Sequence, residues 1–236
     1  MTDEQLVLLA TDDDRLCEEA YERVFRPAFD PTELPDISEI RPTAGRTVIV
    51  ALDESGVVAG GVSDTFADSD VGLLSYLATR SDRRSRGWGA RLLDGLRSCW
   101  RPDAVALVLA EVRDPRAWDT SDCERPSDRL RFYASNGCHL VPVPWVQPST
   151  GGRPREAGLL LISVHGTTPD SVIPASILRK WAVAYYRDSE GATPTDPQYL
   201  ALIQRLSERD VRMKSIEDYA GVEPLRFAVE SERPDS

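Results

Sequence analysis

The chain has 236 residues, of which 41% are hydrophobic and 28% are charged, a balance typical of a soluble globular protein with its own apolar core. Its formal net charge of -11 argues against a general affinity for nucleic acid or anionic membranes, and the sequence has no apolar stretch near the roughly 18–20 residues that span a bilayer. The acidic start of the chain does not resemble a signal peptide, so we expect a cytoplasmic protein.

The first elements along the chain are predicted to be a helix, a hairpin and a third strand. Acidic residues that can cap a helix, followed by apolar residues at helical spacing, predict a helix over 11–26. Two β-branched runs, 47–52 and 57–62, flank an acidic turn that ends in glycine, which predicts a β-hairpin. The apolar run 71–79 predicts another strand, and a helix is expected over 87–100.

The middle of the chain continues the alternation of strands and helices. A continuous apolar run over 104–112 predicts a strand buried on both faces, and a polar loop over 113–127 follows it. A short helix over 128–135 is expected to stop at a left-handed C-cap made by Asn136 and Gly137. Two further strands and two amphipathic helices are predicted over 140–146, 158–164, 175–188 and 197–209.

This order predicts an α/β domain over 1–166 and a helical C-terminal extension over 167–236, with a frayed tail over 230–236. Trp181, Tyr185 and Tyr186 form an aromatic stripe in the extension. We expect the stripe to pack in the core, and the alternatives are a lid over an acceptor pocket or a homodimer contact.

Cysteine and histidine are too few and too scattered to predict a metal site. The chain has four cysteines without a Cys-x-x-Cys pair and only two histidines, so we expect no metal and free, mostly buried thiols.

The loop before the helix at 87–100 concentrates positive charge. Between residues 80 and 91 there are five arginines and one acid, a local charge of +4. A run of charge is often only a solvated surface, but this one lies between a buried strand and a helix. Glycine lets the backbone approach a ligand closely, and a helix N-terminus presents unpaired N–H groups. The position therefore predicts a phosphate site.

Two common phosphate motifs do not fit this loop. The dinucleotide fingerprint needs a third glycine, and the mononucleotide P-loop needs Gly-Lys-Ser/Thr; both are absent. The sequence Arg84-Ser85-Arg86-Gly87-Trp88-Gly89 instead resembles the Gln/Arg-x-x-Gly-x-Gly/Ala pyrophosphate loop of the GNAT N-acetyltransferase superfamily. The order of predicted elements over about residues 5–166 is similar to that of the same family.

The resemblance implies the GNAT fold, a central mixed and twisted β-sheet flanked by helices. It also implies acetyl-CoA, or another acyl-CoA, as co-substrate in the gap between the two central parallel strands, with a backbone N–H near Leu77 or Ala78 binding the carbonyl oxygen. Thr79 and Arg80 would then follow the pantetheine arm, and Arg83 and Arg84 would meet the outer phosphates. The residues implied for binding of the cofactor are Leu77, Ala78, Thr79, Arg84, Ser85, Arg86, Gly87, Trp88, Gly89 and Ala90.

A second matching segment, residues 130–138, is similar to the short helix of the family that ends in Tyr-x-x-x-Gly-Phe, with Cys138 in place of the final Phe. By this resemblance Tyr133 would hydrogen-bond the departing thiolate of coenzyme A and protonate it, which a phenol with a pKa of about 10 can do. The alternative is that Tyr133 only packs its ring on the sheet.

Glu111 is the candidate general base because it is the only acid in the apolar run 104–112. Burial there would raise its pKa toward the range in which a carboxylate can take a proton from an amine. The alternative is that Glu111 lies at the open end of the strand and pairs with Arg113 or another arginine.

Together these features predict an N-acyltransferase that moves an acetyl or short acyl group from acyl-CoA to a primary amine by direct attack in a ternary complex. The expected acceptor is a small-molecule or peptide amine, and the acidic chain favours a cationic one. Two alternatives stay open on the same fold: a donor that is an aminoacyl-tRNA, and a non-catalytic module that binds acyl-CoA.

Overall fold

The computed structural model describes residues 7–29, 34, 36–100, 105–118 and 126–225. The predicted frayed tail and one cysteine, Cys123, lie outside the described residues, and Cys17, Cys99 and Cys138 are free thiols. In the described part of the chain, no helix combines the length and the apolar character that crossing a bilayer requires.

One seven-stranded sheet organises the molecule. Its strands in chain order are β1 (Val7–Ala10), β2 (Arg46–Asp53), β3 (Gly56–Thr65), β4 (Val71–Thr79), β5 (Leu107–Arg113), β6 (His139–Gln147) and β7 (Glu156–His165). Across the sheet the order is β1-β2-β3-β4-β5-β7-β6. The central pair β4 and β5 is parallel, and the other neighbouring pairs are antiparallel. This mixed α/β architecture confirms the predicted fold class.

Six helices and a second, two-stranded sheet surround the main sheet in the described residues. The helices are α1 (Asp14–Ala20), α2 (Arg26–Ala28), α3 (Trp88–Cys99), α4 (Pro126–Ser135), α5 (Ala175–Glu190) and α6 (Pro197–Ser207). The small sheet pairs β8 (Val172–Ile173) with β9 (Val211–Arg212), and a 3₁₀ turn covers Ile216–Gly221.

The predicted elements are confirmed with small changes in their bounds. The helix expected over 11–26 begins at Asp14, is capped by the Asp13 side chain, and passes through a π-helical turn at Tyr21–Phe25. The left-handed C-cap of α4 is confirmed, since Gly137 has a φ of 69°. β5, which corresponds to the strand predicted over 104–112, begins at Leu107, and residues 119–125 of the predicted loop lie outside the described residues.

Strands β1, β8 and β9 were not predicted from the sequence. They have four, two and two residues, and pairing with a distant strand defines each of them. Runs this short carry little periodicity, so the local sequence alone does not reveal them.

The two faces of the sheet are covered by different parts of the chain. Leu92, Leu93 and Leu96 of α3 pack with alternate sheet residues such as Leu74 and Ala110. On the other face, a cluster built on α1 covers β2 and β3. A further cluster on that face joins β5, β6 and β7 to α5 and α6, with Trp181 and Leu202 fully buried. The C-terminal segment therefore shares a core with the sheet, and the predicted packing of the aromatic stripe is confirmed.

Candidate functional site

The two parallel strands separate halfway along their length. Their pairing ends at Leu74 and Ala110, although β4 continues to Thr79 and β5 to Arg113. At the same point β4 carries an extra residue, Ser75, because the register with β3 shifts there. A β-bulge bends its strand. The bulge therefore accounts for a gap in which the edges of residues 75–79 and 111–113 do not pair with each other.

The loop between β4 and α3 ends in an open helix N-terminus. Gly87 is the N-cap of α3 and has a φ of 78°, in the left-handed region that favours glycine. Among the described residues no side chain caps this helix, and its first turn contains no acid. The N–H groups of residues 88–90 have no partner within the helix, and Ser85 and Arg86 are exposed. This end of α3 is thus available to an anion.

Three segments named by the sequence analysis meet at Gly89. A β-carbon at this position would lie 3.2 Å from Phe132 Cε2 of α4 and 3.7 Å from Thr79 Oγ1 of β4. Glycine therefore allows α4 and the end of β4 to approach the start of α3 closely. Tyr133, next to Phe132, is 6% exposed and packs in the core between α3, α4 and the sheet. Its predicted role as a proton donor stays a prediction.

Arg80 and Arg83 of the arginine-rich loop are bound to carboxylates. Arg80 makes a bidentate pair with Asp82, with Nε–Oδ1 and Nη2–Oδ2 distances of 2.7 Å. Arg83 Nε donates to Asp53 Oδ2 at 2.9 Å, and its Nη1 donates to Asp82 Oδ2. Asp53 is the last residue of β2, next to the hairpin turn and 30 residues from Arg83 in sequence. A count of local charges therefore overestimated the positive charge of the loop. Arg84, Arg86 and Arg91 have exposed side chains.

A cavity of about 940 Å³ lies on the other side of the gap, on the face covered by α1, α2 and α5. The bulge at Ser75 and the end of β5 form its floor. Its walls come from the segment after α2, the β3–β4 and β6–β7 connections and the last turns of α5. They include Phe29, Phe66, Arg153, Tyr185, Asp188 and Ser189.

Glu111 is half-buried at the floor of this cavity and accepts three hydrogen bonds. Trp145 Nε1 donates to Oε1 at 2.5 Å, Gln147 Nε2 to Oε2 at 2.7 Å, and the Tyr185 hydroxyl to Oε2 at 3.1 Å. Burial raises the pKa of Glu111 to about 7, against the opposing effect of these three donors. The carboxylate is therefore poised to gain or lose a proton near neutral pH.

The alternative pairing of Glu111 with Arg113 is not what the structure shows. Arg113 Nε donates to Glu156 Oε1 at 3.3 Å, and its guanidinium group lies 4.0 Å from the ring centroid of Trp118. The donors to Glu111 could not be found from the sequence, because they lie on β6 and α5, at least 34 residues away. The strand order of the sheet and the packing of α5 on it bring these donors to Glu111.

The cavity is not dominated by acids despite the charge of the chain. Its lining includes four acids and five arginines: Asp64, Glu111, Glu156, Asp188, Arg46, Arg113, Arg129, Arg153 and Arg155. Several are paired with each other, such as Arg46 Nε with Asp64 Oδ1 at 2.6 Å. The net charge of -11 therefore does not predict the charge of this site.

Comparison with known proteins identifies the fold. No protein-family model matches the sequence, and no curated protein matches it either. Among solved structures, a protein from Bacteroides thetaiotaomicron described as a GNAT-family acetyltransferase is 19% identical, covers 69% of this chain and 87% of its own, and has a TM-score of 0.52. A second such protein, from Desulfovibrio desulfuricans, is 16% identical, covers 69% and 100%, and has a TM-score of 0.50. An aminoglycoside 6′-N-acetyltransferase complexed with coenzyme A is 16% identical, covers 66% and 95%, and has a TM-score of 0.49. The chain has the GNAT fold.

Proposed function

We propose that this protein is an N-acyltransferase that transfers an acetyl or short acyl group from acyl-CoA to a primary amine of a small molecule or peptide. The observation that carries the proposal is the gap between β4 and β5. It opens between the uncapped N-terminus of α3 on one side and the cavity around Glu111 on the other. A donor and an acceptor can therefore meet in it from opposite faces of the sheet.

The donor side has the chemistry that coenzyme A requires. The free N–H groups and the positive end of the α3 dipole suit a diphosphate. The edge of β4 at residues 75–79 has no partner in β5, so it offers backbone groups to an extended pantetheine arm, as a sheet edge does to an added strand. A fixed backbone N–H of Leu77 or Ala78 is the expected donor to the oxyanion formed during attack.

The acceptor side has a group that can remove a proton. An alkylamine with a pKa near 10 is mostly protonated at neutral pH, and it must lose a proton before it attacks. With a pKa of about 7, Glu111 is ionised in about half of the molecules at pH 7 and can take that proton directly or through a water. The neutral amine nitrogen then bonds to the acyl carbon, the C–S bond breaks, and the leaving thiolate takes a proton from Tyr133. The second proton that the nitrogen loses as the amide forms returns to Tyr133 through water.

The size and lining of the cavity bear on the acceptor. About 940 Å³ lies at the upper end of the range of about 300–1,000 Å³ for small-molecule sites, so the cavity can hold an acceptor considerably larger than a simple alkylamine. Its mixed charges fit an acceptor that carries polar or anionic groups as well as its amine. The preference for a purely cationic acceptor, expected from the net charge, finds no support in this lining.

The test is thiol release from acetyl-CoA across a library of amines. We expect turnover with at least one amine, with kcat/KM rising with pH through about 7, and loss of that dependence in Glu111→Gln. Asp188→Asn, which changes another acid of the cavity that is paired with Arg187, is the matched control and should keep the pH profile. Binding of acetyl-CoA without turnover on any amine would refute the proposal and favour the non-catalytic module. Activity that requires aminoacyl-tRNA would favour the other alternative.

A further inference from the structure

We propose that helix α5 completes the acyl-transfer site, and that its Tyr185 is a positioning residue that orients Glu111 and sets the ionisation of its carboxylate. This inference rests on the proposed function of Glu111 as the general base. It assigns to the C-terminal segment a part in the reaction rather than in stability alone.

The position of Tyr185 is fixed by the rings around it. Tyr185 is 5% exposed, and its ring lies 4.9 Å from that of Phe66 and stacks on Trp145 at 6.3 Å. A ring held on several sides has one orientation, so its hydroxyl is aimed at a fixed point. That point is Glu111 Oε2, at 3.1 Å. A donor to a carboxylate stabilises the ionised form, which is the form that accepts a proton.

The neighbouring tyrosine shows what a purely structural hydroxyl looks like on the same helix. Tyr186 is fully buried, and its hydroxyl donates to the backbone carbonyl of Val146 at 2.6 Å. Within the described part of the chain, this hydroxyl donates to no carboxylate. Tyr185 and Tyr186 therefore lie on the same helix and are both buried, but their hydroxyl groups donate to different partners. This makes them a matched pair for comparison.

A charged clamp attaches the end of α5 to the β6–β7 connection. Arg155 makes bidentate pairs with Glu190, at 2.7 and 2.8 Å, and with Asp196, at 2.8 Å for both contacts. The backbone N–H of Ser149 also donates to Glu190 Oε1 at 3.0 Å. Because Asp188 and the β6–β7 connection both line the cavity, the clamp holds the wall that carries Tyr185 against the floor that carries Glu111.

Other charged groups lie near Glu111 and Tyr185. Glu156 of β7 raises the pKa of Glu111 by repulsion, and Arg113 of β5 is paired with Glu156. Burial raises the pKa of the Tyr185 hydroxyl well above its ordinary value, and the nearby carboxylates of Glu111 and Asp64 raise it further, so Tyr185 stays a donor at physiological pH. The remaining charged groups that line the cavity are Arg46, Arg129, Arg153, Arg155 and Asp188. None of them is altered when Tyr185 loses only its oxygen.

The experiment compares Tyr185→Phe with Tyr186→Phe. The carboxyl carbon of Glu111 is titrated by ¹³C NMR in glutamate-labelled protein, with Glu111→Gln to assign its signal. We expect Tyr185→Phe to raise the titration midpoint by about one pH unit, the size expected for one lost hydrogen bond to a carboxylate. The acidic limb of kcat/KM should move by the same amount, so the rate at pH 6 falls up to about tenfold. The KM for acetyl-CoA should not change, and Tyr186→Phe should leave both midpoints in place.

The two readouts separate this inference from the proposed function. An unmoved ¹³C midpoint in Tyr185→Phe overturns the inference whether or not the protein turns over an amine. A midpoint that moves while the kcat/KM profile stays in place also overturns it, because Tyr185 then tunes a carboxylate that the reaction does not use. If no amine is acylated, the proposed function fails, and the NMR titration still shows whether Tyr185 sets the ionisation of Glu111.

Discussion

The raised pKa of Glu111 makes a prediction about stability that needs no substrate. In the folded chain this pKa is about 7, against an ordinary value of 4.5, so between these pH values the folded chain holds a proton that the unfolded chain has released. The stability that Glu111 contributes is fully present below pH 4.5 and is lost as the pH rises through 7. At about 1.4 kcal/mol per pKa unit the full loss is about 3 kcal/mol, of which about 2.5 kcal/mol falls between pH 5 and pH 8.

Replacing Glu111 by Gln removes this titration and nearly preserves the shape of the side chain. We expect the free energy of unfolding of the variant, relative to the wild type, to rise by about 2.5 kcal/mol between pH 5 and pH 8, measured by urea denaturation at each pH. Glu22→Gln, which removes an exposed carboxylate of the π-helical turn paired with Arg26, controls for the loss of one negative charge. A difference between wild type and Glu111→Gln that is the same at both pH values would refute the burial of an ionisable Glu111.

Two further predictions concern the C-terminal segment. Arg155→Met should lower the free energy of unfolding by about 3 kcal/mol in urea denaturation, because it leaves the carboxylates of Glu190 and Asp196 close together without their partner. A loss below about 0.5 kcal/mol, the size expected for an exposed ion pair, would contradict the clamp. Leu202→Ala should lower the free energy of unfolding by about 2–4 kcal/mol and leave unfolding a single cooperative transition, because Leu202 is fully buried in the core that α6 shares with the sheet. A separate, earlier unfolding transition of the C-terminal segment would contradict that shared core.

The parts of the site that depend on local sequence could be predicted. A phosphate loop was predicted because five arginines, two glycines and a helix start all lie within residues 80–91, and the structure has the open end of α3 there. The C-cap at Gly137 and the hairpin at 53–56 follow from the same kind of local signal. Glu111 stood out because a single acid in an apolar strand is visible without a structure.

The parts that depend on pairing between distant segments could not be predicted. The bulge at Ser75 exists only in the register of β4 against β3, and no residue type marks it. Tyr185 reaches Glu111 across 74 residues, and the sequence showed only that its ring lies on an apolar stripe. Asp53 neutralises part of the arginine loop because the hairpin turn folds onto it, a contact that a local count of charges omits.

The central claim is that the diphosphate of coenzyme A binds the N–H groups at the start of α3, and one calorimetric comparison tests it most directly. Gly87→Asp places a carboxylate at the N-cap, where it can accept hydrogen bonds from those N–H groups and repel a phosphate. A β-carbon at this position meets no atom within 4 Å. Gly137→Asp makes the same change at another open position with a positive φ, at the end of α4. We predict that Gly87→Asp weakens the affinity for CoA by at least about tenfold, and that Gly137→Asp leaves it unchanged. Equal affinities of Gly87→Asp and wild type for CoA would contradict the claim.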